Sequence, residues 1–411
     1  MSTPLARLAA RGAELAELVG PGSLVALGDG VGGPRAVHTE LSEVADRVGG
    51  VRLLLGWTPA ADPALDLTAF SDVRTVMPGW GLRRAVETGL VRALPVRLSA
   101  VPALLHGPLR PDVLIATVVP RPGGGLAFGT EVSWMRAAVA AGARVAAVVA
   151  RRTPCCDAGP ALPEDRVVVV GETDDPPTTL AFTAPGPEHR AIAEHVAGLL
   201  PEGARLQVGP GSLGTAVLDA VRVPVHVDSG LLPDAVVDLD RRGLLAGPPK
   251  ATYLAGGPRL LEWADGRPLL HPVEHTHDLG RLSTGAPLVA VNTALEVDDQ
   301  GQVNVESLPG AAVGGIGGHP DYAVAATRSV GGLSIVAVPA AHRGRSNLVE
   351  RLSGPVSTPA HDVDILVTED GAVDLRGLDR RERSKAIRGL WDLEGRPRPA
   401  GAVRAMTERR R

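Results

Sequence analysis

Three glycine clusters stand where backbone chemistry could be done. LVALGDGVGG carries Gly28, Gly30 and Gly33; LQVGPGSLG carries Gly209, Gly211 and Gly214; AAVGGIGGHPDYAVAATRS carries Gly314, Gly315, Gly317 and Gly318. In the first two, an apolar run precedes and a helical pattern follows, so each spells G-x-G-x-x-G at a strand-to-helix turn. Such a turn bares backbone N–H groups at a helix N-terminus, which suits an anionic ligand or a developing oxyanion. A tight turn alone is the plainer reading. Four glycines in five positions are costly for loop closure, so in the third cluster a substrate or another backbone comes close. His319, next to it, either faces a ligand or caps its own helix.

Other chemistries fit these residues less well. A dinucleotide fold needs an acid closing the second strand to hold a ribose hydroxyl. VRLLLGWTP has none, and VPVHVDSG offers only Asp228. His271, His275 and His277 in HPVEHTHD lack the fixed spacing of a zinc site, so the run is expected to be a polar loop and no metal is assigned. Cys155 and Cys156 are adjacent and have no base nearby in sequence, so they are expected to be small buried fillers.

The elements that must position these turns follow from composition and periodicity. In 411 residues, 44% are hydrophobic but only 2% aromatic, so the core is built from small aliphatics on tightly turned elements. VRLLLGW, PDVLIATVV and ARVAAVVA in the first half, and PLVAVN, LSIVAVP and VDILVTED in the second, read as buried parallel strands. Helical stretches such as PRAVHTELSEVADRV and WMRAAVAAGA separate them. The recurring strand, glycine turn and helix point to internal duplication. The fold expected is α/β, with two similar open domains of mainly parallel sheet. Residues 171–190, rich in Pro, Thr and Asp, read as the crossing segment, giving domains 1–180 and 181–411. EVDDQGQVNVES (296–307) reads as a polar hairpin jutting from the second domain.

A net charge of −4 gives no field that attracts nucleic acid or an anionic membrane. The first eighteen residues form an amphipathic, acid-containing helix pattern rather than a signal peptide, and the RAMTERRR end reads as a solvated tail. A cytoplasmic, reducing location is the expectation, with no membrane partner.

Five second-half segments together carry a resemblance: LQVGPGSLGTAVLDAV, VHVDSGLLPDAVVDL, NTALEVDDQGQVNVES, GGIGGHPDYAVAATRSVGGLSIVAVPA and VDILVTEDGAVDLRGLDRRERSKAI. They resemble the acetyl-CoA hydrolase/transferase family, which includes acetate and 4-hydroxybutyrate CoA-transferases. LVALGDGVGGPRAV and the segments up to ARVAAVVARRTP follow the family's order through the first half. The resemblance implies an active site in the cleft between the two domains, a small acyl-CoA and a carboxylate as reactants, CoA as substrate and no separate cofactor. A homo-oligomer is left open.

The resemblance also implies a glutamate nucleophile that attacks the thioester and then carries CoA as a glutamyl thioester. Aligned through Asp234, Val236, Val237, Asp238 and Leu239, that glutamate's position falls on Gly230. Three substitutes are open. Asp228, two positions earlier, would share a face with residue 230 on a regular strand; Ser229 with His226 would need a bend; or water or an acceptor attacks directly, with Glu296 or His319 as base. The expected catalytic residues are therefore Asp228, Glu296 and His319. Substrate contacts are expected from Gly209, Gly211, Ser212, Gly230, Asn292, Gly315, Gly317 and Gly318. Lys250 and Arg345, together with Arg343, are candidate partners for the CoA phosphates. Asn347 stands where related sequences carry an arginine. A catalytically silent CoA-binding or partner-binding protein is the alternative.

Overall fold

The computed structural model describes residues 14–391. The expected N-terminal helix lies almost wholly outside the described residues, as does the arginine-rich tail. The chain forms two compact units: Met1–Ala181 with Ser229–Val237 and Pro248–Asp278, and Phe182–Asp228 with Asp238–Gly247 and Leu279–Arg411. Two segments that the expected division at residue 180 puts in the C-terminal half therefore fold with the first unit.

In the first unit the strands are β1 (Leu24–Leu27), β2 (Arg52–Leu55), β3 (Asp72–Thr75), β4 (Arg92–Ala93), β5 (Val113–Pro120), β6 (Leu126–Phe128), β7 (Arg144–Ala150) and β8 (Val167–Thr173). Their order is β4-β3-β2-β1-β5-β7-β8, all parallel, with β6 antiparallel to β5. The aliphatic runs expected as strands occupy the middle. β5 is buried from Val113 to Val119, as a strand covered on both faces must be. Helix His38–Val48 lays Leu41, Val44 and Ala45 into a core cluster with Leu53, Leu55, Ile115 and Val148. Two further strands of this unit, β11 (Leu231–Leu232) and β12 (Tyr253–Leu254), pair in parallel.

In the second unit β9 (Arg205–Val208), β10 (His226–Val227), β13 (Leu288–Asn292), β18 (Leu333–Ala337), β22 (Ile365–Thr368) and β23 (Gly371–Asp374) form a sheet in the order β10-β9-β13-β18-β22-β23. Only β23 is antiparallel, at the edge. The two sheets repeat one plan. The chain first adds a strand to one side of β1 or β9, then crosses to the other side with β5 or β13. In open α/β sheets that reversal opens a crevice at the carboxyl ends of the two strands, where ligands bind. Both G-x-G-x-x-G turns lie there, each directly after the first strand.

The hairpin β14 (Glu296–Asp298) and β15 (Val303–Asn304) forms as expected, its turn tied by Asp298 Oδ1 to Gln300 N (3.0 Å) and Gln302 N (2.8 Å). It does not jut. β14 also pairs in parallel with β21 (Leu348–Val349), and Val297 and Val303 are fully buried beside Val336, Leu366, Ile387 and Trp391. Alternation puts these two valines on the core side, and their apolar surface outweighs the polar face that made the segment look exposed. No helix among the described residues is long and apolar enough to cross a membrane.

Candidate functional site

At the carboxyl edge of the second sheet the expected loops come together. After β9, Gly209 gives its N–H to Val291 O (3.0 Å), and Gly211, at φ +110°, leads into helix Ser212–Ala220. A Cβ on Gly214 would lie 2.0 Å from Gly209 O, so the third glycine lets the helix press onto the turn. The first-turn N–H groups of that helix have no intrahelical acceptors. Ser212 spends its hydroxyl on Thr183 O (2.8 Å). Asn292, ending β13, exchanges two hydrogen bonds with Gln207 on β9 (3.0 and 3.2 Å), which locks both amides across the switch point.

The third glycine cluster shares this edge. Ser329, ending helix His319–Arg328, accepts the N–H of Leu288 at the amino end of β13, so the helix runs antiparallel to the strand and begins at the carboxyl end. Gly317 takes φ +58° and Gly318 is the N-cap residue, leaving His319 as the first helical residue with no side-chain cap bond. The capping alternative for His319 is thereby set aside. Its Nε2 is shut from solvent without a partner, and burial pushes its pKa down to about 4, so the ring is neutral near pH 7.

The expected carboxylates are already engaged. Asp228 is buried and takes two bonds from the Arg281 guanidinium (2.6 and 2.8 Å), with Arg205 Nη1 3.8 Å away. A carboxylate held in that fork is an anchoring anion with its lone pairs occupied, a poor nucleophile. Glu296 accepts from Ser353 N, Ser353 Oγ and Asn304 Nδ2 (2.8, 2.7 and 3.0 Å) and ties the hairpin to the 353 turn. Asn347 donates to Pro339 O (2.8 Å). Arg345 is exposed in the short strand Arg345–Ser346. Lys250 is half-buried and belongs to the first unit, where its carbonyl accepts Ser229 N. Gly230, in the same unit and half-buried, accepts both Thr252 N and Tyr253 N (3.1 Å each).

Three amides of the first glycine turn are engaged within the protein. Gly28 N and Gly30 N go to Ile115 O and Trp57 O (2.7 Å each), and Gly32 N goes to Glu131 Oε2 (3.2 Å). The carboxyl group this turn holds is the protein's own Glu131. A Cβ on Gly30 would meet the Glu131 carboxyl at 2.6 Å, and one on Gly32 would meet Thr130 Oγ1 at 2.3 Å. Next to it Asp29 Oδ2 collects Trp57 N, Trp134 Nε1, Ser133 Oγ and Tyr253 OH (3.1, 3.1, 3.2 and 2.6 Å). Asp29 and Glu131 are both fully enclosed. Burial raises Asp29 to about 6 and Glu131 to about 8, with the charge of Asp29 adding to the shift of Glu131. This buried acid network went unread because only Asp29, set between two glycines, carried any local signal.

Glu131 makes stability depend on pH with a defined sign. Its folded pKa lies above the unfolded value of 4.5, so the stability it contributes is complete below that value and lost as pH rises toward about 8. Unfolding free energies from urea titrations at pH 5 and pH 8 are expected to differ by on the order of 3 kcal/mol in favour of pH 5, and Glu131→Gln is expected to remove most of the difference. An unchanged slope in the variant would assign the dependence elsewhere.

Cys156 is buried, as expected of a filler, and burial pushes its thiol up; Cys155 is only partly covered. His271 and His275 stack at 4.5 Å, and His277 Nδ1 is 2.8 Å from Thr276 Oγ1. Among the described residues no three His, Cys, Asp or Glu side chains gather as a metal site would require.

Two doubly wound sheets, each with a glycine turn at its switch point, define an α/β protein built on one repeated plan. Residues 3–175 match the acetyl-CoA hydrolase/transferase N-terminal domain and residues 256–392 the C-terminal domain of the same family. The chain belongs to the acetyl-CoA hydrolase/transferase family. It is 27% identical over 323 residues to the 4-hydroxybutyrate coenzyme A transferase of Clostridium kluyveri, covering 74% of this chain and 75% of that one. It is 29% identical over 257 residues to the acetyl-CoA hydrolase of Kluyveromyces lactis, covering 56% and 48% respectively. The crystal structure of RipA from Yersinia pestis shares the fold, with a TM-score of 0.82 at 24% identity over 94% of this chain and 95% of that one.

Proposed function

We propose that this protein acts on a small acyl-CoA thioester, moving CoA to a carboxylate or hydrolysing the thioester, with CoA as substrate and no separate cofactor. The observation that carries the reading is that both halves match one CoA-transferase and hydrolase family, in a chain whose second sheet sets Gly209–Ser212, Asn292 and the helix beginning at His319 along one carboxyl edge. Backbone amides at the two helix starts suit the thioester oxyanion. Lys250 and Arg345 are the cations we assign to the phosphates of CoA.

The pairing of Asp228 with Arg281 and of Glu296 with Ser353 argues against either as an enzyme nucleophile. Direct attack on the polarised thioester is the step best supported. Water adds to the thioester carbon, the C–S bond breaks and CoA leaves as thiolate with the free acid formed, or an acceptor carboxylate adds to give a mixed anhydride and CoA thiolate. The thiolate then attacks the acceptor's carbonyl and releases the donor carboxylate. Where water attacks, His319, neutral near pH 7, is the base we place beside it.

The test is formation of labelled acetyl-CoA from labelled acetate with acetyl-CoA, propionyl-CoA or succinyl-CoA as the CoA donor, run beside a free-thiol assay. Exchange supports a transferase, and thiol release without exchange supports a hydrolase. Silence in both, with CoA still bound, would overturn the enzymatic reading in favour of a catalytically silent CoA-binding protein.

A further inference from the structure

A cavity of about 490 Å³ opens in the first unit at the carboxyl ends of β1 and β2. Its walls include Leu27, Leu55, Leu65 and Leu82 together with Asp29 and His38. Asp29 is 4% exposed and His38 6%, and each keeps one buried atom that nothing in the described chain satisfies: Asp29 Oδ1 and His38 Nε2. Both are held in place. The other oxygen of Asp29 is pinned by four donors, as described above. His38 Nδ1 lies 2.8 Å from Asp62 Oδ2, so the ring proton is drawn to Nδ1 and Nε2 is left as a bare acceptor.

The two unmet atoms ask for the same thing. Each accepts, neither donates, and one belongs to a carboxylate whose neighbours contribute only neutral donors. A hydroxyl brings one proton and can serve one of them. An ammonium brings three and also matches the charge of Asp29. Arg35, the guanidinium in the wall, is turned toward Val31 O, Thr178 Oγ1 and Pro176 O. We propose that this cavity binds the ammonium end of a short aliphatic amine.

Intact full-length protein is titrated calorimetrically with 4-aminobutyrate, n-butylamine, 4-hydroxybutyrate and butyrate at pH 7.5 and pH 5. The two amines are expected to bind at least tenfold more tightly than the hydroxyl and unsubstituted acids. Their affinity is expected to fall about tenfold at pH 5, because Asp29, at about 6, must be ionised to receive the cation. Of the other titratable groups around Asp29, burial raises Glu131 to about 8, so it is mostly protonated at pH 7.5 and fully so at pH 5, and burial pushes Tyr253 up; Asp62 and Arg35 also line the cavity. His38 is lowered by burial, which keeps Nε2 an acceptor at pH 7.5.

His38→Phe is expected to lose at least tenfold in amine affinity with an unchanged melting curve. Asp29→Asn is expected to lose as much along with the pH dependence. Should that variant not fold, the pH dependence of the wild type decides. Equal binding of 4-hydroxybutyrate or butyrate, a flat pH dependence, or no binding of any probe would overturn the proposal. These titrations need no CoA chemistry, so their failure leaves the CoA reading standing, and amine binding without thioester turnover would overturn that reading alone.

Discussion

Replacing Asp228 by alanine is expected to cost about 3–5 kcal/mol of stability, the range for breaking a buried ion pair from one side. Asp228 is 2% exposed, and its two oxygens receive both terminal nitrogens of Arg281. Arg205, 3.8 Å away, already clamps the 281–286 turn through the carbonyls of Arg281, Leu282, Thr284 and Ala286. Burial lowers the Arg205 pKa and Asp228 raises it, so removing the carboxylate leaves two partly buried cations facing each other. Urea unfolding measures the loss. Asp228→Asn keeps the shape and much of the hydrogen bonding and is expected to cost less, while thiol release by the folded fraction stays within about threefold of wild type. Loss of turnover in Asp228→Asn with stability reduced by under about 1 kcal/mol would instead make Asp228 the nucleophile.

The sheet architecture was legible because strand and helix leave periodic traces. LLL, VLIATVV and AAVVA are too apolar to be anything but buried strand, and the glycines at 28–33 and 209–214 mark where each first strand turns into a helix. Pairings between distant residues leave no such trace. Nothing near Asp228 announces Arg281, 53 positions away, and nothing near Asp29 announces Tyr253, 224 positions away. The first glycine turn shows the cost of this silence. Read locally, it is an anion site; in the fold, the amides of Gly28, Gly30 and Gly32 are spent on Ile115 O, Trp57 O and Glu131. The hairpin at 296–307 forms, but the expectation that it juts from its domain failed for a related reason. Its polar residues are visible in sequence, whereas the second neighbour of β14, the strand Leu348–Val349, is not.

Gly230→Glu is expected to raise exchange of labelled acetate into acetyl-CoA by at least about a hundredfold over wild type, equivalent to about 2.7 kcal/mol of barrier. The backbone there is already organised: Gly230 O accepts Thr252 N and Tyr253 N, so the start of β11 is set by β12 whatever side chain residue 230 carries. Gly230 is half-buried and lies outside the left-handed region, which leaves a side chain conformationally allowed. An added carboxylate would attack the thioester carbon and expel CoA thiolate, giving an acyl-glutamyl anhydride. The thiolate would then attack the glutamyl carbonyl, release the acyl carboxylate and leave CoA on the enzyme until an acceptor removes it. Ping-pong kinetics and a covalent adduct of CoA mass on the peptide containing residue 230 are the signatures, and neither is expected of the wild type. A wild type that already forms that adduct elsewhere would show that another carboxylate has taken the role, and mass mapping would name it. A variant that binds acetyl-CoA with unchanged affinity yet exchanges nothing would show that the pocket no longer presents the thioester to position 230, so direct attack would be the only route this chain retains.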